Sequence, residues 1–160
     1  MDGLLFALTL IAALGCGLVA GVLFAFSSFV MPGLARLPAP RGVAAMQSIN
    51  ATAITPAFML ALFGTAVACA ALAVWALFRL DEDFAAFLLV GAGLYLIGTI
   101  WVTMAANVPR NNALAAVEPS AAEAERVWTR YVAEWTAWNH LRTAAALAAA
   151  ASLTIALTAG

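Results

Sequence analysis

Four long stretches of the chain contain no charged residue: 3–35, 42–78, 84–109 and 143–160. A transmembrane helix needs about 20 consecutive apolar residues, with a range of roughly 17–25. We therefore predict four spans, at about residues 4–30, 56–78, 84–106 and 139–158. A globular core is the poorer explanation, because four such stretches exceed what one small domain can bury.

The overall balance of residues agrees with a membrane protein. Only 9% of the residues are charged and 66% are hydrophobic, whereas a soluble domain has about 25% charged residues. The net charge of −1 gives no case for nucleic-acid binding, which needs a basic stripe. The predicted fold class is an all-α, integral membrane four-helix bundle in one domain, with the lipid bilayer as its surroundings and no nucleic-acid partner.

The connections and helix ends can be read from prolines and capping residues. Pro32 is predicted to end the first helix, and Pro109 to force Val108 out of the helical region. Residues 41–50 look like a short helix, and Thr55-Pro56 reads as the start of the second span. Ser120 and Glu123 predict a capping box for the last helix.

The last helix is too long to lie within a bilayer. No glycine or proline interrupts residues 120–158. One helix of that length spans about 57 Å, nearly twice the roughly 30 Å hydrocarbon core. We therefore predict a long fourth helix whose first half protrudes.

The arginines predict the orientation. Six of the seven lie in or near the first and third connections, and only Arg79 lies in the second. The positive-inside rule places those two connections in the cytoplasm and both termini outside, in a cell inner membrane. The Gly17-x-x-x-Gly21 spacing allows close helix approach, within the bundle or in a homo-oligomer.

One face of the last helix concentrates polar and aromatic groups. Residues 127–142 hold three of the five tryptophans and the only histidine. At 100° per residue, six side chains fall within one arc of about 100°: Trp128, Tyr131, Trp135, Trp138, Asn139 and Arg142. His140 points about 150° away from the middle of that arc.

Polar residues from distant parts of the chain should meet at one end of the bundle, because the first and third connections share a side. The set comprises Ser27, Ser28, Gln47, Asn50, Asn107, Asn111, Asn112, Asn139, His140 and Arg142. Such groups need partners or a watery cavity. We expect a cavity, and a hydrogen-bonded network without chemistry is the alternative. No metal site is predicted, because one histidine and two separate core cysteines make no ligand set.

Four short motifs resemble those of the anthrone oxygenase-like family of small four-helix membrane proteins. They are Phe24-x-Phe-Ser-x-x-Val-Met-Pro32, Met46-Gln-x-Ile-Asn50, Asn107-Val-Pro-x-Asn-x-x-Leu114 and Trp135-x-x-Trp-Asn-His-x-Arg142. The resemblance implies oxidation of a tricyclic anthrone to an anthraquinone with O₂, without a metal, flavin or other cofactor.

That chemistry needs a base, groups that stabilise an oxyanion, and a flat apolar pocket. The predicted catalytic residues are His140 as base and Arg142, Asn107 and Asn111 at the oxyanion. The predicted substrate-binding residues are Ser27, Gln47, Asn50, Trp101, Trp135, Trp138 and Asn139. On an ideal helix His140 and Arg142 are about 160° apart, so both meet one ligand only if another segment folds over them.

Two other functions use the same residues. In one, the tryptophans and arginines hold a lipid headgroup or a quinone without chemistry, so the partner is a lipid-like ligand instead of a small aromatic substrate. In the other, His140 ligates a haem, although the sequence offers no evident second ligand.

Overall fold

The computed structural model describes all 160 residues and contains five helices and no strand. They are α1 (Gly3–Leu34), α2 (Ala39–Thr52), α3 (Pro56–Leu77), α4 (Ala85–Ala115) and α5 (Ala124–Ala159). All except α2 are long and apolar enough to cross a membrane. The predicted all-α membrane bundle is confirmed, and the short helix predicted at 41–50 is part of α2.

The transmembrane part of the bundle is packed through small side chains. α5 packs against α1 and α4, and α3 packs against α1 and α4. Buried alanines recur on all four helices, among them Ala12, Ala68, Ala92 and Ala146. A Cβ atom at Gly98 would collide with the Cβ of Ala145. Small residues let helices approach closely, which is how apolar helices gain packing energy in lipid.

A second apolar cluster lies beyond this core, at the end that holds the first and third connections. It comprises Met31, Val43, Met46, Leu114, Trp128, Tyr131 and Trp135. We call this cluster, together with α2, the headpiece. Gln47 of α2 donates hydrogen bonds from Nε2 to the carbonyls of Leu114 and Val117, at 3.0 and 2.9 Å. These bonds hold the last turn of α4 and the residues that follow it against α2.

The headpiece covers the first half of α5. α5 has 36 residues and is about 54 Å long, so it extends past the apolar core as predicted. It does not protrude alone, because α2 and the ends of α1 and α4 pack beside it.

The predicted breaks at Pro32 and Pro109 are wrong, because both prolines lie inside helices. A π-helical segment precedes each of them, Phe26–Val30 in α1 and Thr103–Asn107 in α4. Val108 keeps helical angles, φ −61° and ψ −46°. A π turn bonds each N–H to a more distant carbonyl, and such local adjustments let membrane helices contain a proline without breaking.

The predicted start of α5 is also wrong, whereas that of α3 is confirmed. Residues before Ala124 form turns, and the Ser120 hydroxyl donates to Glu118 Oε1 at 3.3 Å instead of capping a helix. Glu123 precedes α5 without a side-chain capping bond. At α3, Thr55 Oγ1 accepts from the backbone N–H of Phe58 at 3.2 Å.

Both termini lie at the end of the bundle opposite the headpiece. The amino group of Met1 donates to the carbonyl of Gly160 at 3.2 Å. A Cβ atom at Gly160 would lie 2.9 Å from Phe84, which places the connection between α3 and α4 at the same end. The two connections with most of the arginines therefore share the headpiece end. Which end faces the cytoplasm stays a prediction.

Candidate functional site

A layer of polar side chains separates the apolar core from the headpiece. We call it the polar layer. Its members come from three helices: Ser27 of α1, Thr99, Thr103 and Asn107 of α4, and Asn139 and Arg142 of α5. Ser27, Thr103 and Asn107 lie in the two π-helical segments that precede the prolines. π turns in helices are frequently found at functional sites.

Arg142 is the charged centre of the polar layer. Its side chain is only 6% exposed. Nη2 donates to Asn139 Oδ1 at 2.7 Å and Nη1 donates to Thr103 Oγ1 at 3.1 Å. The guanidinium carbon lies 5.3 Å from the centre of the Trp135 ring.

No carboxylate pairs with Arg142, since the only ion pairs join Glu134 to Arg110 and Arg130. Its Nε atom is buried and has no hydrogen-bond partner. A charge in apolar surroundings without a counter-ion is costly. The arrangement therefore leaves both a positive charge and a free donor for a ligand.

Asn139 ties α1 to this guanidinium. It is completely buried, and its Nδ2 atom donates to the Leu23 carbonyl and to Ser27 Oγ, both at 2.7 Å. Its side-chain oxygen, Oδ1, accepts the hydrogen bond from Arg142 Nη2. Asn139 thus uses its amide to fix the π-helical part of α1 and the orientation of Arg142 at once.

A ladder of aromatic rings runs from the polar layer into the headpiece. The ring centres of Trp128 and Tyr131 are 5.8 Å apart, and those of Tyr131 and Trp135 are 6.2 Å apart. Asn111 Oδ1 accepts from the Tyr131 hydroxyl and from Trp135 Nε1, both at 2.8 Å. Asn111 therefore fixes the orientation of the ring on which Arg142 lies.

Asn107 completes the environment of Trp135. It is 1% exposed, and its Nδ2 atom donates to the Trp135 carbonyl at 3.2 Å. Its Oδ1 atom is buried without a partner, as is Asn50 Nδ2 in α2. Buried polar atoms are normally paired, so the unpartnered Asn107 Oδ1 beside the Trp135 backbone is a candidate contact for a polar ligand.

Several residues predicted for the site lie elsewhere. His140 is exposed and makes no side-chain hydrogen bond, because the helical period turns it away from Arg142 and no segment folds over it. Trp101 is 62% exposed. Trp138 is 37% exposed and lies under the Arg110 guanidinium, 5.8 Å from ring centre to Cζ.

Two other predicted residues act in the headpiece. Gln47 bonds only the carbonyls of Leu114 and Val117, and none of its hydrogen bonds reaches the polar layer. The Asn50 amide faces the Tyr131 hydroxyl without forming a well-directed bond. The structure thus brings Ser27, Asn107, Asn111, Trp135, Asn139 and Arg142 together, and it does not bring His140, Trp101, Trp138 or Gln47 to them.

Thr99 and Thr103 were not predicted, although the sequence carries a signal for them. Polar residues recur every four positions along the third span, at Thr99, Thr103, Asn107 and Asn111. In a regular α-helix this spacing drifts by about 40° at each step. The π-helical segments Leu94–Trp101 and Thr103–Asn107 contain more residues per turn, which offsets the drift and keeps the stripe facing α5.

The polar-layer side chains contact one another directly, and the two best-defined clefts lie elsewhere. One cleft of about 350 Å³ lies between the α2 start, at Pro38–Pro40, and residues 121–125. A second, of about 560 Å³, lies on the outer face of α5 beside Arg126 and Arg130. Neither is lined by a residue of the polar layer. No three His, Cys, Asp or Glu side chains lie close enough together to hold a metal ion.

A family model described as anthrone oxygenase matches residues 56–152, which is more than half of the chain. The match includes the Asn107–Leu114 and Trp135–Arg142 motifs, and it leaves out α1 and α2 with Ser27, Gln47 and Asn50. Neither curated protein sequences nor solved structures give a match. The motifs predicted the same family, and two of the four lie in the matched region. On this match the chain belongs to the anthrone oxygenase family.

Proposed function

We propose that the protein is a membrane-embedded oxygenase that uses O₂ to convert a planar, anthrone-like aromatic substrate into a quinone, without a metal or flavin. The observation that carries this proposal is Arg142, a buried guanidinium with no counter-ion that lies on the Trp135 ring. The match to the anthrone oxygenase family supports it. The site thus supports the proposal beside the family match, which does not by itself define a reaction.

The reaction proceeds through an electron-rich anion of the substrate. Loss of one proton from the CH₂ carbon of an anthrone gives an enolate whose negative charge lies largely on the carbonyl oxygen. The enolate gives one electron to O₂, and the resulting radical pair forms a C–O bond. The peroxide takes up a proton and then loses water as the second C–H proton leaves and the O–O bond breaks. One atom of O₂ ends in the new carbonyl group and the other in water.

In this proposal the polar-layer side chains, which contact one another directly in the structure, move apart to admit the substrate. Arg142 then touches the substrate and stabilises the oxyanion. A fixed positive charge in a dry site is effective because it needs no reorganisation when the anion forms. The Trp135 ring provides a flat surface against which an aromatic ligand can stack. Asn139 and Thr103 are positioning residues, since they hold the guanidinium and do not themselves touch the substrate.

Quinone formation tests this proposal directly. The purified protein in an uncharged detergent is mixed with 1,8-dihydroxyanthrone under ¹⁸O₂, in buffer treated with a chelator. We expect quinone to form faster than in protein-free micelles and to carry one ¹⁸O atom at the new carbonyl. No acceleration over the spontaneous rate would refute an oxygenase for this substrate class.

Two variants locate the reaction. Arg142→Gln is expected to lower the rate by about 10²–10³-fold, and Arg142→Lys, which keeps the charge, by less. His140→Ala is the matched control and should react at the wild-type rate, because His140 faces away from the polar layer. If the substrate binds and is recovered unchanged under O₂, a lipid- or quinone-binding protein is the better description.

A further inference from the structure

We infer that Arg142 takes its substrate as a ready-formed anion, an aryl-ketone enolate with a neighbouring hydroxyl group, and that the protein supplies no base. This inference rests on the proposed function for the nature of the reacting group. The proposed function concerns the reaction with O₂, whereas this inference concerns the proton: whether the substrate is already ionised when it enters the polar layer, and where the proton is lost.

The charges around Arg142 favour an anion. α1 contains no charged residue and no histidine, and its only titratable side chain is Cys16; in α3 the only one is Cys69. α4 contributes Tyr95 and Arg110, and α2 contributes Arg41. On α5 itself, the titratable groups nearest in sequence are Tyr131, Glu134 and His140.

The single carboxylate of this set is already neutralised. Glu134 is bound by Arg110 at 2.9 Å and by Arg130 at 2.7 Å, at the partly exposed edge of the bundle. Nothing in the protein therefore compensates the charge of Arg142. A ligand with one negative charge would, and it would also relieve the cost of burying the guanidinium.

The polar layer holds no group that could remove a proton from carbon. A general base has to lie within hydrogen-bond reach of the proton that it takes. The layer offers amides, hydroxyls and a guanidinium. The nearest titratable hydroxyl, that of Tyr131, donates its own proton to Asn111. His140 is exposed on the opposite face of α5. The substrate therefore loses its proton before it reaches Arg142, in the water or headgroup region.

Two unpartnered atoms indicate which hydrogen-bonding groups the anion should carry. Arg142 Nε is a free donor and Asn107 Oδ1 is a free acceptor. Arg142 lies on the Trp135 ring, and Asn107 contacts the Trp135 backbone carbonyl. An oxyanion can accept from Nε. Asn107 Oδ1 requires a donor and would repel a second oxyanion, so a neighbouring hydroxyl group fits it. An enolate or phenolate with a hydroxyl group on the adjacent ring offers both the acceptor and the donor that these two atoms lack.

A quinone that cannot be oxidised further separates binding from turnover. 1,8-dihydroxyanthraquinone changes its visible absorption when one hydroxyl ionises, so its ionisation can be followed while it is bound. We expect its apparent pKa to be about one to three units lower with the wild-type protein than in empty micelles of the same uncharged detergent, as for an acid beside a fixed cation. His140→Ala should give the wild-type value. Arg142→Gln should give the micelle value, and Arg142→Lys should keep part of the shift.

A second measurement needs only the wild-type protein, in case Arg142→Gln does not fold. The affinity for the dihydroxy probe should rise about tenfold for each unit by which its pKa is lowered, as the pH is raised through its ionisation. The dimethyl ether of the probe cannot ionise, and its affinity should not change with pH. Equal pH dependence for the two ligands, or an unshifted pKa with the wild-type protein, would overturn the inference.

The outcomes separate this inference from the proposed function. Turnover of 1,8-dihydroxyanthrone without a pKa shift of the probe rejects the preformed anion and leaves the oxygenase. A shifted pKa without turnover supports the anion site and rejects the oxygenase.

Discussion

Single side chains set the properties of the polar layer, and the Asn139 side chain makes the most hydrogen bonds within it. One amide makes three hydrogen bonds that join α1 to the guanidinium of Arg142. A hydrogen bond to a charged group contributes about 1.5–3 kcal/mol, and a buried group left unpaired costs about as much. The layer is thus a structural joint between helices as well as a candidate binding site.

At this scale, Asn139→Ala should lower the free energy of unfolding by about 2–4 kcal/mol, because it leaves Arg142 Nη2 and the Leu23 carbonyl without these partners. Unfolding in detergent, followed by tryptophan fluorescence, measures the change. Thr129→Ala is the control: its exposed hydroxyl bonds only the Glu125 carbonyl, so its effect should stay within about 0.5 kcal/mol. Similar losses in the two variants would contradict the role given to Asn139.

The helices show where sequence reasoning holds and where it ends. Charge-free stretches predicted the four long helices because lipid admits few charges. The common arc on α5 predicted that Trp135, Asn139 and Arg142 face inward together. The same helical period places His140 on the outer face of α5. His140 was nevertheless predicted in the site, because the reaction needs a base. The structure does not support that prediction.

The π turns account for most of the remaining differences. Pro32 and Pro109 predict helix ends under the rules for regular helices, and a local change of hydrogen-bond pattern removes that consequence. The same change aligns Thr103 and Asn107 with Arg142. Neither effect can be read from residue spacing alone, because the spacing assumes one fixed number of residues per turn.

At the scale of elements, Gly42 decides how closely α2 can lie on α5. A Cβ atom there would lie 2.5 Å from Cε2 of the Trp128 ring, and a ring fixed by stacking on Tyr131 cannot easily yield. Gly42→Ala should therefore destabilise the headpiece by about 1–3 kcal/mol, seen as faster amide hydrogen exchange in α2. Gly17→Ala is the matched control, since nothing lies within 4 Å of its Cβ position. It should be neutral or stabilising by up to about 1 kcal/mol. Unchanged exchange in the Gly42 variant would show that α2 is not held by this contact.

The whole molecule has two unlike ends. The headpiece end holds α2 and most of the arginines, and the other end holds both termini and the acidic connection between α3 and α4. The placement of arginines predicts that the headpiece faces the cytoplasm. The polar layer then lies near the cytoplasmic side of the bilayer, where an ionised aromatic compound could reach it from water.

Cysteine labelling tests this orientation. Ser120→Cys lies in the headpiece connection and Asp83→Cys at the opposite end, and both positions are exposed. The native Cys16 and Cys69 are fully buried, so they should react little. A maleimide that cannot cross membranes should label the Ser120→Cys variant only in inside-out vesicles and the Asp83→Cys variant only in right-side-out vesicles. The reverse pattern would place the headpiece outside.

The π-helical segment Phe26–Val30 makes the length of α1 as important as its composition. A π turn holds about one residue more than an α turn, so removing one residue from it would restore a regular α-helix and leave the flanking turns of α1 close to their present orientation. Such a shortened protein would remain as apolar as before and could still insert into lipid. Ser27 lies inside the segment, however, so closing the wide turn would move its hydroxyl away from Asn139. A single-codon deletion here should therefore impair the candidate site while the packing of α1 against its neighbours is kept.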